Sequence, residues 1–197
     1  MISVKICGLM HNSDVDIVNE CMPDFVGFIF TKSRREVTPK TAKLLSERLS
    51  HSIIPVGVFV DADIDTIKEL SSQNIFKMIQ LHGNESEDYI KTLKRNLHLP
   101  IIKRIVPNVG KGTDYKSSAE FILLDGAHSG SGECLNWESI ERPPTPFFLA
   151  GGLNVFNVKK GIKALNPIGV DVSSGVESCG HKDREKVKEF IFYAKQY

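Results

Sequence analysis

Eight short runs rich in β-branched and aromatic residues recur about every 20 to 30 residues along this chain of 197 residues. They fall at residues 2–7, 25–30, 56–60, 77–81, 101–105, 121–125, 147–150 and 168–172. Between them, residues 14–21, 39–49, 64–73, 87–97, 155–165 and 184–195 place apolar side chains three and four apart, the spacing that gathers them on one helix face. Pro39 just after Thr38 is a helix start, because proline at the first helical position gives up an N–H that would go unused. Residues 108–118 and 136–141 predict short helices at most. Strands alternating with helices in this way build βαβ units and a parallel sheet, either open and doubly wound or closed into a barrel.

Side-chain parity decides for the barrel. Alternate residues of a strand face opposite sides. In the first run Ile2, Val4 and Ile6 share one side while Lys5 and Cys7 share the other. In the fourth, Ile79 and Leu81 oppose Met78, Gln80 and His82; in the sixth, Ile122 and Leu124 oppose Phe121, Leu123 and Asp125; in the last, Val170 and Val172 oppose Asp171 and Ser173. One side is aliphatic throughout, as a layer of helices requires. The other turns polar towards the C-terminal end of each strand, which suits a closed interior opening into a polar mouth.

The chain therefore predicts a single-domain α/β (β/α)8 barrel over residues 1–197. That fold usually takes about 250 residues, so short loops and at least one reduced helix are expected, with the trimming at 108–118 and 136–141. A closed barrel makes the first and last strands neighbours. Lys5 and Asp171 then point inward together and are predicted to pair, since an unpaired buried charge is costly. Lys103 is read as an inward residue of the fifth strand, short of its end, with a packing or charge-pairing role in preference to a Schiff base.

Several function classes are excluded at this stage. A net charge of +1 does not suit nucleic acid or a membrane surface as the main partner. No basic, apolar leader opens the chain, and no apolar run approaches the roughly 18 residues of a membrane span. Cys7, Cys21, Cys134 and Cys179 are scattered without metal-ligand spacing, which fits free thiols in a cytoplasmic setting and not a zinc site.

The candidate site residues sit at strand ends. Phe147-Phe-Leu-Ala-Gly-Gly152 and Asp171-Val-Ser-Ser-Gly175 each stop a strand in a small-residue loop. These are ordinary turns or a paired phosphate grip at Gly151, Gly152, Ser173, Ser174 and Gly175; the last two βα loops of a (β/α)8 barrel often build such a grip. Cys7 is a small core residue or a base at the mouth. Asp125 caps the next turn or acts as an acid. Arg35, within Lys32-Ser-Arg-Arg-Glu36, is part of a solvated loop or grips a carboxylate through two nitrogens. Gln80 and His82 are candidates for a pocket wall; His82 is otherwise an acid/base group or a hydrogen-bonded loop histidine. The Gly126–Gly132 loop is expected to cover a ligand. Gly110-Lys-Gly-Thr113 lacks the full phosphate-loop pattern, as Gly130-Ser-Gly132 lacks a dinucleotide one.

Taken together, the motifs resemble phosphoribosylanthranilate isomerase, an enzyme family of tryptophan biosynthesis. The likeness runs through Val4-Lys-Ile-Cys-Gly8, Val26-Gly-Phe-Ile-Phe30, Ser33-Arg-Arg35, Val56-Gly-Val-Phe-Val60, Gln80-Leu-His-Gly83, Leu124-Asp125, Gly130-Ser-Gly132, Leu149-Ala-Gly-Gly-Leu153 and Asp171-Val-Ser-Ser-Gly-Val-Glu177. The resemblance implies a (β/α)8 barrel and an Amadori rearrangement of N-(5-phosphoribosyl)anthranilate that needs neither metal nor organic cofactor. It makes Asp125 the general acid that opens the ribose ring, Cys7 the general base that removes the C2′ proton, Arg35 the carboxylate contact, and the two small-residue loops the phosphate site. The partner is then a small-molecule phosphosugar–anthranilate substrate, and the protein a monomer or homodimer. Glu36, Ser129 and Leu135-Asn136-Trp137 depart from the usual pattern and are expected to alter loop detail. The alternatives are another phosphosugar barrel, either an aldolase using Lys103 or a ribotide isomerase, and a phosphate-binding barrel without catalysis.

Overall fold

A computed structural model describes residues 1–108, 112–126 and 137–197. Eight strands close into a parallel barrel in sequence order: β1 Ser3–Cys7, β2 Phe25–Ile29, β3 Ile54–Phe59, β4 Met78–Leu81, β5 Ile101–Ile105, β6 Phe121–Leu124, β7 Phe147–Leu149 and β8 Gly169–Val172. Closure falls where β8 pairs with β1 and sets Asp171 opposite Lys5. The predicted ion pair is there, Lys5 Nζ lying 3.0 Å from Asp171 Oδ1. Helices α1 Asn12–Cys21, α2 Pro39–Ser46, α3 Ile64–Ser72, α4 Glu87–Asn96, α5 Val158–Leu165 and α6 Arg184–Ala194 complete the fold. None of the described helices is long and apolar enough to cross a membrane.

The pleat sorts the core into two parts. Val4, Ile6, Ile79, Leu81, Ile122, Leu124, Val170 and Val172 pack outward with helix residues such as Ile90, Leu93, Ile162 and Phe190. Val56, Met78, Ile102, Leu123, Phe148 and Ala150 fill the barrel itself. Each such burial stabilises by about 1.5–3 kcal/mol for a large apolar side chain. The slip of a single residue would reverse both sets at once, which is why the register is firm.

The fifth strand corrects the sequence reading. Ile102 faces the interior while Ile101 packs beneath the helices, so Lys103 lies on the outer side and Arg104 points inward. Ile101 and Ile102 are both apolar, and the run gives no alternation from which to set its phase. Lys103 keeps the predicted charge-pairing role: its Nζ lies 2.5 Å from Glu85 Oε2 and donates to the Gly83 carbonyl at 2.6 Å. An ammonium so engaged outside the barrel is no Schiff-base nucleophile.

Local chemistry explains the helix ends. Thr38 Oγ1 accepts from the Thr41 N–H at 3.1 Å, and Asp183 Oδ1 from that of Lys186 at 3.1 Å, each capping its helix. The α5 helix begins three residues later than predicted. Asn157 Oδ1 accepts from the Asn154 N–H and Asn154 Oδ1 from that of Phe156, holding the segment in side-chain turns that compete with a helix. Among the described residues trimming occurs where expected: a 3-10 turn at Trp137–Ser139 precedes β7, and residues 112–118 form no helix. Gly110, His128, Ser129, Gly130-Ser-Gly132, Cys134, Leu135 and Asn136 lie outside the described residues.

One element has no counterpart in the sequence reading. Beyond β8, Glu177–Ser178 and His181–Lys182 form an antiparallel pair, β9 and β10. Cys179 and Gly180 turn it with φ of 51° and 83°, the left-handed pair that a two-residue hairpin turn requires. Strands of two residues carry no periodicity, so the pattern of the chain does not announce them.

Candidate active site

The strands' C-terminal ends surround a cavity of about 330 Å³, lined by Cys7, Arg35, Gln80, His82, Asp125, Gly151, Gly152, Ser173 and Ser174. Nine of the ten predicted site residues thus converge. Gly175 does not line the cavity. A Cβ there would lie 1.9 Å from the Leu153 carbonyl oxygen, so this glycine lets the loops after β7 and β8 pack backbone to backbone. A second cavity of about 510 Å³ lies at the strands' opposite ends, beside Pro143, Pro144, Thr145 and Ile168, with Arg142 its one ionisable side chain.

Cys7 closes β1 and is buried, with Gly27 of β2 opposite it in register. Burial pushes its thiol above the ordinary value, while Lys5 pulls the other way. Burial by itself would lower Lys5, but Asp171 and Cys7 hold its ammonium above the usual lysine value. Gly27 makes this arrangement possible: an added Cβ would lie 2.7 Å from Cys7 Sγ and 3.2 Å from Lys5 Nζ. Gly27→Ala is therefore expected to overpack the site, at about 1–3 kcal/mol, and to displace the sulfur. A lower Tm together with a slower rate would show it; parental values of both would refute the crowding.

Asp125 follows β6, its N–H donating to the Ile105 carbonyl at 3.2 Å. Its Oδ2 lies 3.2 Å from Arg104 Nε and 3.3 Å from His82 Nε2. Arg104 Nη2 also donates to the Gly126 carbonyl at 2.8 Å, splinting the carboxylate and the following backbone together. Gln80 Nε2 lies 3.1 Å from His82 Nδ1. With the amide donating to Nδ1, the imidazole carries its proton on Nε2, facing Asp125. The other oxygen, Oδ1, stands beside Gly151, where a Cβ would come within 3.1 Å. Gly151 and Gly152 have φ of 84° and 66°, so this loop approaches the carboxylate in a conformation that favours glycine. Ser173 Oγ donates to the Cys7 carbonyl at 2.9 Å, tying the loop after β8 to the end of β1.

Arg35 is not a free clamp. Its Nε and Nη2 lie 2.7 and 2.8 Å from the two oxygens of Glu177, a two-nitrogen pairing within the protein. The same carboxylate meets Lys182 Nζ at 2.8 Å and Arg34 Nη2 at 3.2 Å. Among the described residues, the Nη1–Nη2 edge of Arg35 remains for a ligand. Its methylenes cross Gly8, where a Cβ would meet Cδ at 2.5 Å. Burial pushes Lys182 below the ordinary lysine value against the pull of Glu177. Burial alone would raise Glu177, but Arg35 and Lys182 bring it below the ordinary glutamate value. Arg104, Glu177 and Lys182 were not assigned from the sequence. Glu177 stands within a motif quoted above, and correct phasing of β5 would have found Arg104; Lys182 arrives on an element the pattern does not reveal.

Among the described residues, no group of three or more His, Cys, Asp or Glu is placed to hold a metal ion. The family model for N-(5′-phosphoribosyl)anthranilate isomerase matches residues 4–192. The enzyme of that name from Clostridium acetobutylicum is 40% identical, with all of both chains covered. The crystal structure of the phosphoribosyl anthranilate isomerase from Thermotoga maritima superposes with a TM-score of 0.85 at 32% identity over all of both chains. One further phosphoribosyl anthranilate isomerase, solved with reduced 1-(o-carboxyphenylamino)-1-deoxyribulose 5-phosphate, gives 0.82 at 30% identity, again with full coverage of both.

Proposed function

Because the chain belongs to the N-(5′-phosphoribosyl)anthranilate isomerase family, we propose a role for each residue around the cavity in that isomerisation. The enzyme converts N-(5′-phosphoribosyl)anthranilate to 1-(2-carboxyphenylamino)-1-deoxyribulose 5-phosphate, an aldose–ketose rearrangement of tryptophan biosynthesis. One observation carries the assignment of roles: Cys7 and Asp125, from β1 and β6, line the same cavity as both small-residue loops.

Asp125, carrying a proton in the substrate complex, gives it to the ribose ring oxygen, and the C1′–O bond opens to a protonated imine. The Cys7 thiolate takes the C2′ proton. The electron pair of that C–H bond enters C1′–C2′ and neutralises the imine nitrogen, leaving an enolamine. Tautomerisation to the ketone restores the proton balance, so atoms and electrons close without an oxidant or reductant. Gly151, Gly152, Ser173 and Ser174 hold the phosphate, with Gly175 setting the distance between their loops. The free edge of Arg35 takes the anthranilate carboxylate. Gln80 and His82 wall the cavity, and His82 with Arg104 fixes Asp125.

Residues 1–197 act as one barrel domain. The free thiols of Cys7, Cys21 and Cys179 support a cytoplasmic setting, where cysteines stay reduced. A monomer or a homodimer suits this barrel; the Thermotoga maritima relative is described as dimeric. The test is loss of anthranilate-adduct fluorescence on mixing enzyme with substrate. Conversion is expected at an unchanged rate after exhaustive chelation. Binding of the substrate without conversion would overturn the catalytic reading, and a rate abolished by chelator would overturn the metal-free one.

A further inference from the structure

Lys5 is fully buried and two residues before Cys7 on the inward side of β1. Its ammonium has three N–H donors, and Asp171 Oδ1, 3.0 Å away, accepts from one. Nζ and Cys7 Sγ flank the single point that a Gly27 Cβ would occupy, at 3.2 and 2.7 Å. They are thus within about 6 Å of each other, the range over which an opposite charge favours an ionised group. On the reading that Cys7 is the base, its sulfur must reach the substrate as a thiolate, and a buried thiolate without a cation is costly.

We propose that Lys5 is a positioning residue that keeps Cys7 in its proton-accepting thiolate form, with Asp171 holding the ammonium in place and Gly27 leaving the gap through which it acts. Lys5 keeps its own proton throughout and acts only through Cys7. The Lys5–Asp171 pair is then part of the catalytic apparatus as well as of the barrel wall. The other ionisable groups around Cys7 are Lys182 of β10, Lys32 and Arg35 after β2, and His82 and Asp125 across the cavity. Lys182 is committed to Glu177 and the Ser173 carbonyl, and the Arg35 side-on fork to Glu177, which leaves Lys5 as the cation aimed at the sulfur.

The test reads thiol acidity apart from turnover. In a Cys21→Ser/Cys134→Ser/Cys179→Ser background, iodoacetamide alkylation of Cys7 is followed across pH. Lys5→Met alone would strand Asp171, so the main variant is Lys5→Met/Asp171→Asn, which removes the pair as a neutral unit. Its alkylation midpoint is expected to rise by about one unit, with about tenfold less thiolate and a correspondingly slower rate at neutral pH. Asp171→Asn alone removes the competing anion and is expected to lower the midpoint. A double variant with the parental midpoint overturns the proposal. So does a rise in both variants, which would mean that the pair acts through packing. Failure of the base reading looks different: the midpoints move as expected while Cys7→Ser turns over at the parental rate.

Discussion

Asp125→Asn is expected to lower kcat by about 10²–10⁴, the usual worth of a positioned proton donor, and to leave KM close to parental, while Tm falls because the largely buried Arg104 guanidinium loses its charged partner. Asparagine keeps the shape and an oxygen acceptor for Arg104 and His82, which lie 3.2 and 3.3 Å from Oδ2, but it has no proton to give. The loss should therefore appear in the chemical step alone. Cys7→Ser should lose a comparable factor at the other proton transfer, because a hydroxyl is a far weaker acid than a thiol and yields almost no oxyanion at neutral pH. The two losses should not multiply, since either one stops the same rearrangement. Single-turnover fluorescence separates binding from conversion in both variants. Near-parental rates in both would remove Cys7 and Asp125 from the chemistry altogether, and the cavity would then be only a binding site.

Arg104 sharpens this expectation. It joins Asp125 Oδ2 to the Gly126 carbonyl, so the acid enters the cavity as a braced carboxyl group, with Oδ1 the oxygen beside Gly151. Arg104 became visible only once β5 was phased by packing. The neighbouring strands could be phased from the chain because each alternates: Met78, Gln80 and His82 against Ile79 and Leu81, or Leu123 and Asp125 against Ile122 and Leu124. In β5 two isoleucines precede two cations, so either phase puts both an isoleucine and a cation on each face. What decided between them is tertiary, since Ile102 fits among Val56, Met78, Leu123 and Phe148, while Lys103 finds Glu85 beyond β4. Strand-end residues were legible because the closed barrel fixes where strand ends go. The partner of Arg35 was not, because Glu177, itself paired with Lys182, reaches it on a hairpin held by a turn at Cys179 and Gly180.

Glu177→Gln is expected to weaken both the fold and the substrate grip. The Glu177 side chain is 5% exposed and balances Arg35, Arg34 and Lys182, the last only 1% exposed. Removing one partner of a buried ion pair costs about 3–5 kcal/mol because the other charge is left uncompensated. For a chain of this length that corresponds to a fall in Tm of roughly 6–20 °C. Arg35 would also lose the pairing that aims its remaining edge, so KM should rise about tenfold while kcat, set by Cys7 and Asp125, changes little. The pH dependence has a fixed sign. Arg35 and Lys182 bring Glu177 below the ordinary value against the push of burial, so its contribution is fully present above the unfolded value of about 4.3 and is lost as pH falls through the lower folded one. The parent protein should therefore lose its stability advantage over Glu177→Gln in that acid window, and keep it at neutral pH. Equal melting temperatures at pH 7, or an advantage that persists undiminished below the folded value, would show that Glu177 does not hold this end of the site together.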